Sequence, residues 1–341
     1  MTPVKKREQP LLVERDSLGN RIPSDAMVIR ATELTEFFGC KRAWFFSSHN
    51  GMNLEPLVKN EKLRFGTIWH YALEKHYCGE DMMKAFDEGF KIEADKIKNQ
   101  GDVFFGDEVQ SELETHWELG VKLVPLYLEW ASACAEPSDR DLNYILVEHR
   151  ILVPVLTPTG RISKTWLAVK VDAVASNEHN NLWIVEHKAL SKSTNVNNPE
   201  HLPLDIQMGL QIWALKQLPR FNNTNVLGAI YNLTRKQLPS NRVKAPIFGR
   251  HPVKRSRTEL DRLSRELYNH SMDMRRTVRD PEYRTYNPQP WGGKCTWGCA
   301  FRTVCECMNR EEDYKFLLQE TFKPRYKSIW ETLSEEMNTT D

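Results

Sequence analysis

The sequence lacks the features of several common protein classes. It has no run of about 18 apolar residues, which excludes a membrane-spanning helix, although 40% of its 341 residues are hydrophobic, enough for a substantial core. Residues 1–25 lack the apolar stretch of a signal peptide, so we expect a cytoplasmic protein. There is no GxxxxGK[ST] motif, which excludes a P-loop motor, and no internal repeat.

Acidic residues are absent from one long segment, although the chain as a whole is nearly neutral, with 47 Lys and Arg against 46 Asp and Glu. Between Ile206 and Thr258 there is no Asp or Glu, where the overall composition predicts about seven. A basic face of this kind suits contact with nucleic-acid phosphates, and a merely solvated basic surface is the alternative. The basic residues of the segment are Lys216, Arg220, Arg235, Lys236, Arg242, Lys244, Arg250, Lys254, Arg255 and Arg257.

Cysteines are few, but four of the seven lie close together near the C-terminus. Three residues separate Cys295 from Cys299, five separate Cys299 from Cys305, and Cys307 follows. Thiolates at such short spacings, among glycines that let the backbone wrap, are typical of a metal site in a reducing compartment. The fourth ligand could be Cys307 or the distant Cys40. Zinc and an iron–sulfur cluster both remain open.

Hydrophobic periodicity predicts a mixed α/β core preceded by a mostly helical part. The predicted helices are Ala31–Ser48 with Thr32 as N-cap, Leu63–Tyr77, Asp81–Gln100, Asp107–Cys134, Pro203–Leu218 and Glu259–Thr277. The predicted strands are Asn143–Val155, the two strands of a hairpin within Lys170–Leu190, and Asn225–Asn232. Residues 234–257 are expected to form a basic connection that contains proline.

The hairpin between Lys170 and Leu190 carries the most specific chemistry. Glu186 and Lys188 are two apart on a strand and therefore share a face, and the hairpin can bring Asp172 beside them. Two carboxylates and an ammonium on one patch can hold a divalent cation and position a water. A solvated charge pair at a strand end is the ordinary alternative.

Further candidates lie on the neighbouring elements. Glu148 interrupts an apolar strand, which is unusual unless it is paired or binds a ligand. His70 lies among apolar neighbours on a helix, where a core histidine is the common case. Gln207 and Gln211 are one turn apart on one helix face.

Taken together, these residues resemble the RecB-like branch of the PD-(D/E)XK nucleases, specifically the iron–sulfur kind. That branch includes CRISPR adaptation exonucleases, nuclease modules of helicase–nuclease complexes and phage exonucleases. The resemblance covers roughly residues 28–310. This sequence departs from the family pattern at Lys41, where the family has proline, and at Gln211, where the family has tyrosine. The three-residue gap after Cys295 is also a departure, and it keeps Cys307 as an alternative ligand. The family order of motifs falls on His70, Glu148, Asp172, Glu186-His187-Lys188 and Gln207, and the cluster ligands fall on Cys40, Cys295, Cys299 and Cys305.

The resemblance implies a restriction-endonuclease-like mixed sheet core with flanking helices, a helical N-terminal part and a C-terminal cysteine staple. The implied division is a flexible lead-in over 1–27, a helical part over 28–135 with Cys40 and His70, a nuclease core over 136–280, an iron–sulfur segment over 281–310, and a C-terminal helix and tail over 311–341.

The implied function is a metal-dependent DNA exonuclease that hydrolyses phosphodiester bonds of single strands or duplex ends in DNA processing, recombination or repair. A phage origin would place it in the host cytoplasm, with recombination or replication proteins as possible partners. His70, Asp172 and Glu186 would hold Mg²⁺ or Mn²⁺, and Lys188 would orient or deprotonate the attacking water. Glu148 and Gln207 would shape the site or place the DNA.

A four-iron, four-sulfur cluster would join the two ends of the chain without a redox duty in cleavage. Three alternatives stand beside this hypothesis: an inactive metal-stapled nucleic-acid-binding module, a redox protein that uses the cluster, and a structural zinc protein.

Overall fold

The structure is a computed structural model that describes residues 13–57, 64–99, 107–190, 196, 200–221, 224–239, 246–288, 293–325, 329 and 331–333. It confirms the predicted mixed α/β class, with a central mixed sheet and flanking helices. The strands are β1 (Met27–Arg30), β2 (Leu54–Pro56), β3 (Asn143–Leu156), β4 (Ile162–Ser176), β5 (Leu182–Leu190), β6 (Val226–Arg235), β7 (Phe248–Lys254) and β8 (Phe322–Pro324). The helices are α1 (Ala31–Gly39), α2 (Lys41–Ser47), α3 (Arg64–Tyr77), α4 (Met82–Asn99), α5 (Asp107–Ala133), α6 (Ile206–Gln217), α7 (Arg257–Arg279), α8 (Lys294–Trp297), α9 (Arg302–Asn309) and α10 (Tyr314–Thr321).

The central sheet is organised around the long strand β4. Strand β3 pairs antiparallel along the whole of one edge of β4. The other edge is shared, because β1 pairs in parallel with residues 165–168 and β5 pairs antiparallel with residues 173–176. Strands β6 and β7 extend the sheet beyond β5. The pairing on the shared edge therefore stops at Ala168 and resumes at Ala173, which opens the sheet in the middle of β4.

Helices cover both faces of the sheet. On one face, α1, α6 and α7 bury apolar side chains such as Leu34, Leu210 and Leu267 against β3, β4 and β6. On the other, α3, α4 and α5 pack around Trp69 and Phe86. Gly120 on α5 lies so close to Phe86 that an added Cβ would stand 1.8 Å from the ring. These layers fix the positions of α3 and α6 on either side of the opening in β4.

The predicted helix over Ala31–Ser48 is divided in two at Cys40. Helix α1 ends at Gly39, Cys40 is extended with φ −163°, and α2 begins at the next residue. Thr32 is not the N-cap, because β1 runs directly into α1 and places Arg30 at that position, without a side-chain cap. The break places Cys40 between the two helices, where it lines a cavity.

Three stretches differ from the expected layout. Residues 13–27, expected as part of a flexible lead-in, bury Val13 and Ile22 against the sheet. Strand β1 was missed because it has only four residues. Strand β7 lies in the expected connection and was missed because charges, Gly249 and Pro252 hide its alternation. Near the C-terminus, β8 pairs antiparallel with β2 and so joins the two ends of the chain.

Within the described part of the chain, no helix combines the length and apolar character needed to cross a bilayer.

Candidate active site and cysteine cavity

The opening in β4 places Asp172 at the point where β4 and β5 separate. Its register position faces Glu148 on β3, since the flanking pairs are Val147 with Ala173 and His149 with Val171. The backbone N–H of His187 on β5 donates to Asp172 Oδ2 over 2.8 Å. The aspartate is thus held by a strand that no longer pairs with its backbone.

Three elements bring potential metal ligands to this point. His70 from α3, Glu148 from β3 and Asp172 from β4 each offer a donor atom, and these atoms all lie within 4.8 Å of one another. His70 Nδ1 is 3.6 Å from Asp172 Oδ2. Glu148 adopts a φ of +50°, in the left-handed region that a non-glycine residue enters at a cost of about 1–3 kcal/mol. This backbone conformation occurs at the residue that completes the three-ligand group.

Burial disfavours charge on the two central groups of this site. It raises the pKa of Asp172, against the opposing effects of the His187 N–H and of Lys188. It also lowers the pKa of His70, which favours the neutral imidazole that binds metals. A divalent cation placed between them would compensate the buried carboxylate.

Glu186 and Lys188 lie next to this group and pair with each other. Their side chains form a contact between Glu186 Oε1 and Lys188 Nζ, and Glu186 is only 5% exposed while Lys188 is 40% exposed. Burial, followed by the neighbouring Asp172, raises the pKa of Glu186 to about 7. Burial opposes the charge of Lys188, but Glu186 and Asp172 outweigh it and raise the pKa of the ammonium. The charges that the hairpin was predicted to gather therefore do act on one another.

A second lysine, which the sequence analysis did not single out, also faces the site. Lys170 contacts Glu148 through Nζ and Oε2 and lies two residues before Asp172 on the same strand. The signal was present, because residues two apart on a strand share a face. The site thus contains two lysine–carboxylate pairs on either side of Asp172.

Gln207 and Gln211 lie on the α6 side of the opening. Both line a cavity of about 220 Å³ whose wall includes Asp172. Gln211 Nε2 donates to the carbonyl of Lys170 over 3.0 Å, within the stretch of β4 between the two paired segments. Gln211 therefore has a structural role at the position where the family has tyrosine, and Gln207 lines the cavity.

A buried polar network lies behind the site, under His187. The His187 ring stacks on Tyr77, and its Nδ1 is 3.1 Å from Asn232 Nδ2. Burial keeps the pKa of His187 well below its usual value. The network continues to Asp139, which accepts hydrogen bonds from Tyr77 and Tyr144 and pairs with Arg250.

The basic segment from Ile206 to Thr258 is only partly a surface. The side chain of Arg250 is 1% exposed and that of Arg255 is 5% exposed. Arg255 is occupied by α6, where its Nη2 donates to the Asp205 carbonyl over 2.9 Å. The expectation that these two arginines face DNA is therefore wrong, because both satisfy buried acceptors. Lys216, Arg220, Lys254 and Arg257 are exposed, Arg235 is buried, Lys236 is half-buried, and Arg242 and Lys244 lie outside the described residues.

Four cysteines from distant parts of the chain line one cavity of about 540 Å³: Cys40, Cys295, Cys299 and Cys305. Cys40 comes from the break between α1 and α2, whereas the other three come from α8, α9 and the link between them. Burial raises the pKa of Cys305, and a hydrogen bond from Arg42 opposes this. Cys307 is not among the residues that line this cavity. The structure thus brings together the four cysteines that the resemblance named.

Comparison with known proteins agrees with this architecture. The family model of the PD-(D/E)XK nuclease superfamily matches residues 30–306, and the chain belongs to that superfamily. A solved structure titled "Crystal structure of SSO0001" aligns over 82% of this chain and 85% of its own, with 12% identity and a TM-score of 0.33. No curated protein matches the chain. The superfamily is one of metal-dependent nucleases, so a nucleic-acid substrate and a divalent metal follow for this protein.

Proposed function

We propose that the protein is a metal-dependent deoxyribonuclease of the RecB-like branch that degrades DNA from its ends. The observation that carries the proposal is the group of His70, Glu148 and Asp172, with donor atoms within 4.8 Å, in a chain of the PD-(D/E)XK superfamily. The order of motifs along the chain supports the RecB-like branch and, with it, exonuclease action in DNA processing, recombination or repair. Phage exonucleases and their recombination or replication partners are the setting that this resemblance favours.

The donor set fits a divalent metal ion. Two carboxylates and one neutral imidazole suit Mg²⁺ or Mn²⁺, and the imidazole favours manganese. His70, Glu148 and Asp172 would be the ligands, whereas Glu186, which the resemblance implies as a ligand, is paired with Lys188. A bound cation would supply Lewis-acid chemistry, which activates a water and neutralises charge on the phosphate.

The lysines would act on the reacting groups directly. Lys188, held by Glu186, would orient the attacking water and stabilise the charge that develops on the phosphate oxygens. Lys170 would be displaced from Glu148 when that carboxylate binds a cation, and its ammonium would then be available to the phosphate. His187 would hold Asp172 through its backbone N–H, which keeps the carboxylate oriented. Attack by the water oxygen would form one P–O bond while the P–O bond to the leaving sugar oxygen breaks. The proton of the water would pass to Glu186, whose pKa is raised to about 7, and the leaving oxygen would take a proton from solvent.

We further propose that Cys40, Cys295, Cys299 and Cys305 hold a four-iron, four-sulfur cluster. A single zinc ion with Zn–S bonds of about 2.3 Å needs sulfurs about 3.8 Å apart. Among the described residues, these sulfurs do not form a set of three within 4.8 Å. A cluster places its thiolates farther apart and fits the cavity of about 540 Å³. Its role would be to join the chain ends, with no redox step in cleavage.

A cleavage assay on matched DNA substrates tests the activity. Linear single-stranded, linear duplex and circular DNA of the same sequence would be incubated with Mg²⁺, Mn²⁺ or EDTA. We expect shortening of linear DNA that requires the metal, with circular DNA left intact. Rapid cleavage of circular DNA would identify the protein as an endonuclease and not an exonuclease. The absence of metal-dependent cleavage would overturn the proposal. Iron and sulfide analysis of the purified protein tests the cluster separately.

A further inference from the structure

The cavity beside Asp172 is positively charged. It lies where the shared edge of β4 is open, between β1, α1 and α6, and has a volume of about 220 Å³. Three of its lining residues are cations, namely Arg30 at the end of β1, Arg150 on β3 and Lys170 on β4. Asp172 is the single acid among the lining residues, all of which are described, and it belongs to the candidate metal group. Lys170 is paired with Glu148, so the two arginines give the cavity its excess of positive charge over Asp172, which favours an anion next to the metal position.

The strand register explains why the cations meet. Arg150 is the register partner of Lys170, and Arg30 is the partner of Ala168, on the opposite edge of the same strand. Both arginines thus flank residues 168–170 of β4, one from each side. Helix α1 begins beside them at Ala31, without a side-chain cap, so its first-turn N–H groups add to the positive potential.

A buried acceptor indicates that the cavity receives more than a bare anion. Gln211 is 2% exposed and lines the cavity, and its Oε1 has no hydrogen-bond partner among the described residues. A buried acceptor without a donor costs about 1–3 kcal/mol. A water that accompanies a bound phosphate supplies such a donor, and so does the free hydroxyl at the end of a DNA strand.

We propose that this cavity binds a second phosphate group of the substrate strand, adjacent to the phosphate that is cleaved. The inference rests on the proposed nuclease function and adds a binding subsite to it. Arg30 and Arg150 are the phosphate ligands, because guanidinium groups match the oxygens of a phosphate in pairs. The phosphate is either a terminal monoester, which would select strand ends, or an internal diester, which would fix the register of a continuous strand.

Binding measured without divalent metal tests the pocket independently of cleavage. Fluorescent oligonucleotides with a 5′-phosphate, a 3′-phosphate or hydroxyl ends would be titrated in EDTA with the wild type, Arg150→Met and Arg30→Met. Arg262→Met is the matched control, since Arg262 is exposed on α7 and away from the cavity. Loss of one charge-assisted contact is expected to weaken binding about tenfold to a hundredfold.

The outcomes separate the two sources of phosphate. A loss confined to one type of phosphorylated end in both cavity variants identifies a terminal monoester. An equal loss for all three oligonucleotides, and for a circular strand, identifies an internal diester. If both variants bind every oligonucleotide as tightly as Arg262→Met does, the pocket assignment is overturned.

Two further measurements guard against misreading. Arg150→Lys keeps the charge and is expected to regain part of the binding, whereas a role in folding alone would not follow the charge; thermal unfolding of each variant checks this directly. Because binding is measured in EDTA, an inactive wild type would overturn the nuclease proposal while leaving the phosphate pocket supported. An active wild type whose cavity variants bind DNA normally would overturn the phosphate pocket while leaving the nuclease proposal supported.

Discussion

Replacing Arg250 by methionine separates a structural arginine from a DNA contact. Its side chain is 1% exposed, and its Nη1 lies 2.8 Å from Asp139 Oδ1 and 2.7 Å from the Pro137 carbonyl. The guanidinium also stands 5.3 Å from the centre of the Trp130 ring. Methionine would fill part of the volume but would leave the Asp139 carboxylate without its counter-charge.

The magnitude follows from the burial of this pair. Removing one partner of a buried ion pair costs about 3–5 kcal/mol, because the other charge remains in a poorly solvated place. The hydrogen bonds that Tyr77 and Tyr144 donate to Asp139 remain in the variant. The expected loss in the free energy of unfolding is therefore about 3 kcal/mol. If Arg250 contacted a DNA phosphate instead, its replacement would leave stability almost unchanged and would reduce the salt dependence of DNA binding.

The assay is urea unfolding, with Lys254→Met as the control in the same strand. Lys254 is exposed, so its replacement is expected to change stability by less than about 0.5 kcal/mol. DNA binding of the folded Arg250→Met protein should keep the wild-type slope of log affinity against log salt, since each lost phosphate contact would lower that slope by about 0.7–0.9. Equal unfolding midpoints for the two variants would refute the argument.

Two other predictions concern groups outside the nuclease site. Cys40→Ala is expected to lose iron and stability, because Cys40 and Cys295 close a loop of about 255 residues whose closure stabilises the fold by about 5 kcal/mol. Cys307→Ala should keep both; iron analysis and urea unfolding distinguish the two, and the opposite pattern would make the cluster local to the C-terminal segment. Burial raises the pKa of Glu33, whose Oε2 accepts hydrogen bonds from Trp44 and Ser48. At a pH between 4.5, the ordinary pKa of the side chain, and its raised pKa in the native state, the folded protein holds a proton that the unfolded chain releases. Wild-type stability should therefore fall relative to Glu33→Gln as pH rises through this window. Unfolding at pH 5 and pH 8 checks the sign, and a difference that grows toward low pH would contradict it.

Much of the fold could be predicted because long elements carry strong periodicity. Strand β3 begins at the predicted residue, Asn143, and helix α3 ends at the predicted residue, Tyr77. The elements that were missed are short, or charged residues, glycine and proline hide their pattern. Strand β1 has four residues, and β7 carries Arg250, whose charge looks exposed in the sequence but is buried by a partner 111 residues earlier, Asp139.

The site also contains features that the local sequence could predict and features that depend on tertiary contacts. Asp172, Glu186 and Lys188 lie on a local hairpin, so spacing alone could predict that they interact. The metal group also needs His70 from α3, and its proximity to Asp172 could be expected only from the resemblance to a family. Lys170, Arg30 and Arg150 form their cluster through the pairing of β4 with two different strands, and no sequence pattern reports that pairing. The distinction between exposed and buried arginines likewise depends on tertiary contacts.

The most direct test of the central claim compares metal binding and DNA cleavage in Asp172→Asn. Asparagine keeps an oxygen that can accept the His187 N–H but removes the charge that a cation needs, so the variant should remain folded. We expect Mn²⁺ binding, measured by calorimetry, to weaken by at least about tenfold, and cleavage of linear DNA to fall by two orders of magnitude or more, which corresponds to about 3 kcal/mol in the barrier. A folded Asp172→Asn protein that binds Mn²⁺ and cleaves DNA like the wild type would contradict the assignment of this site.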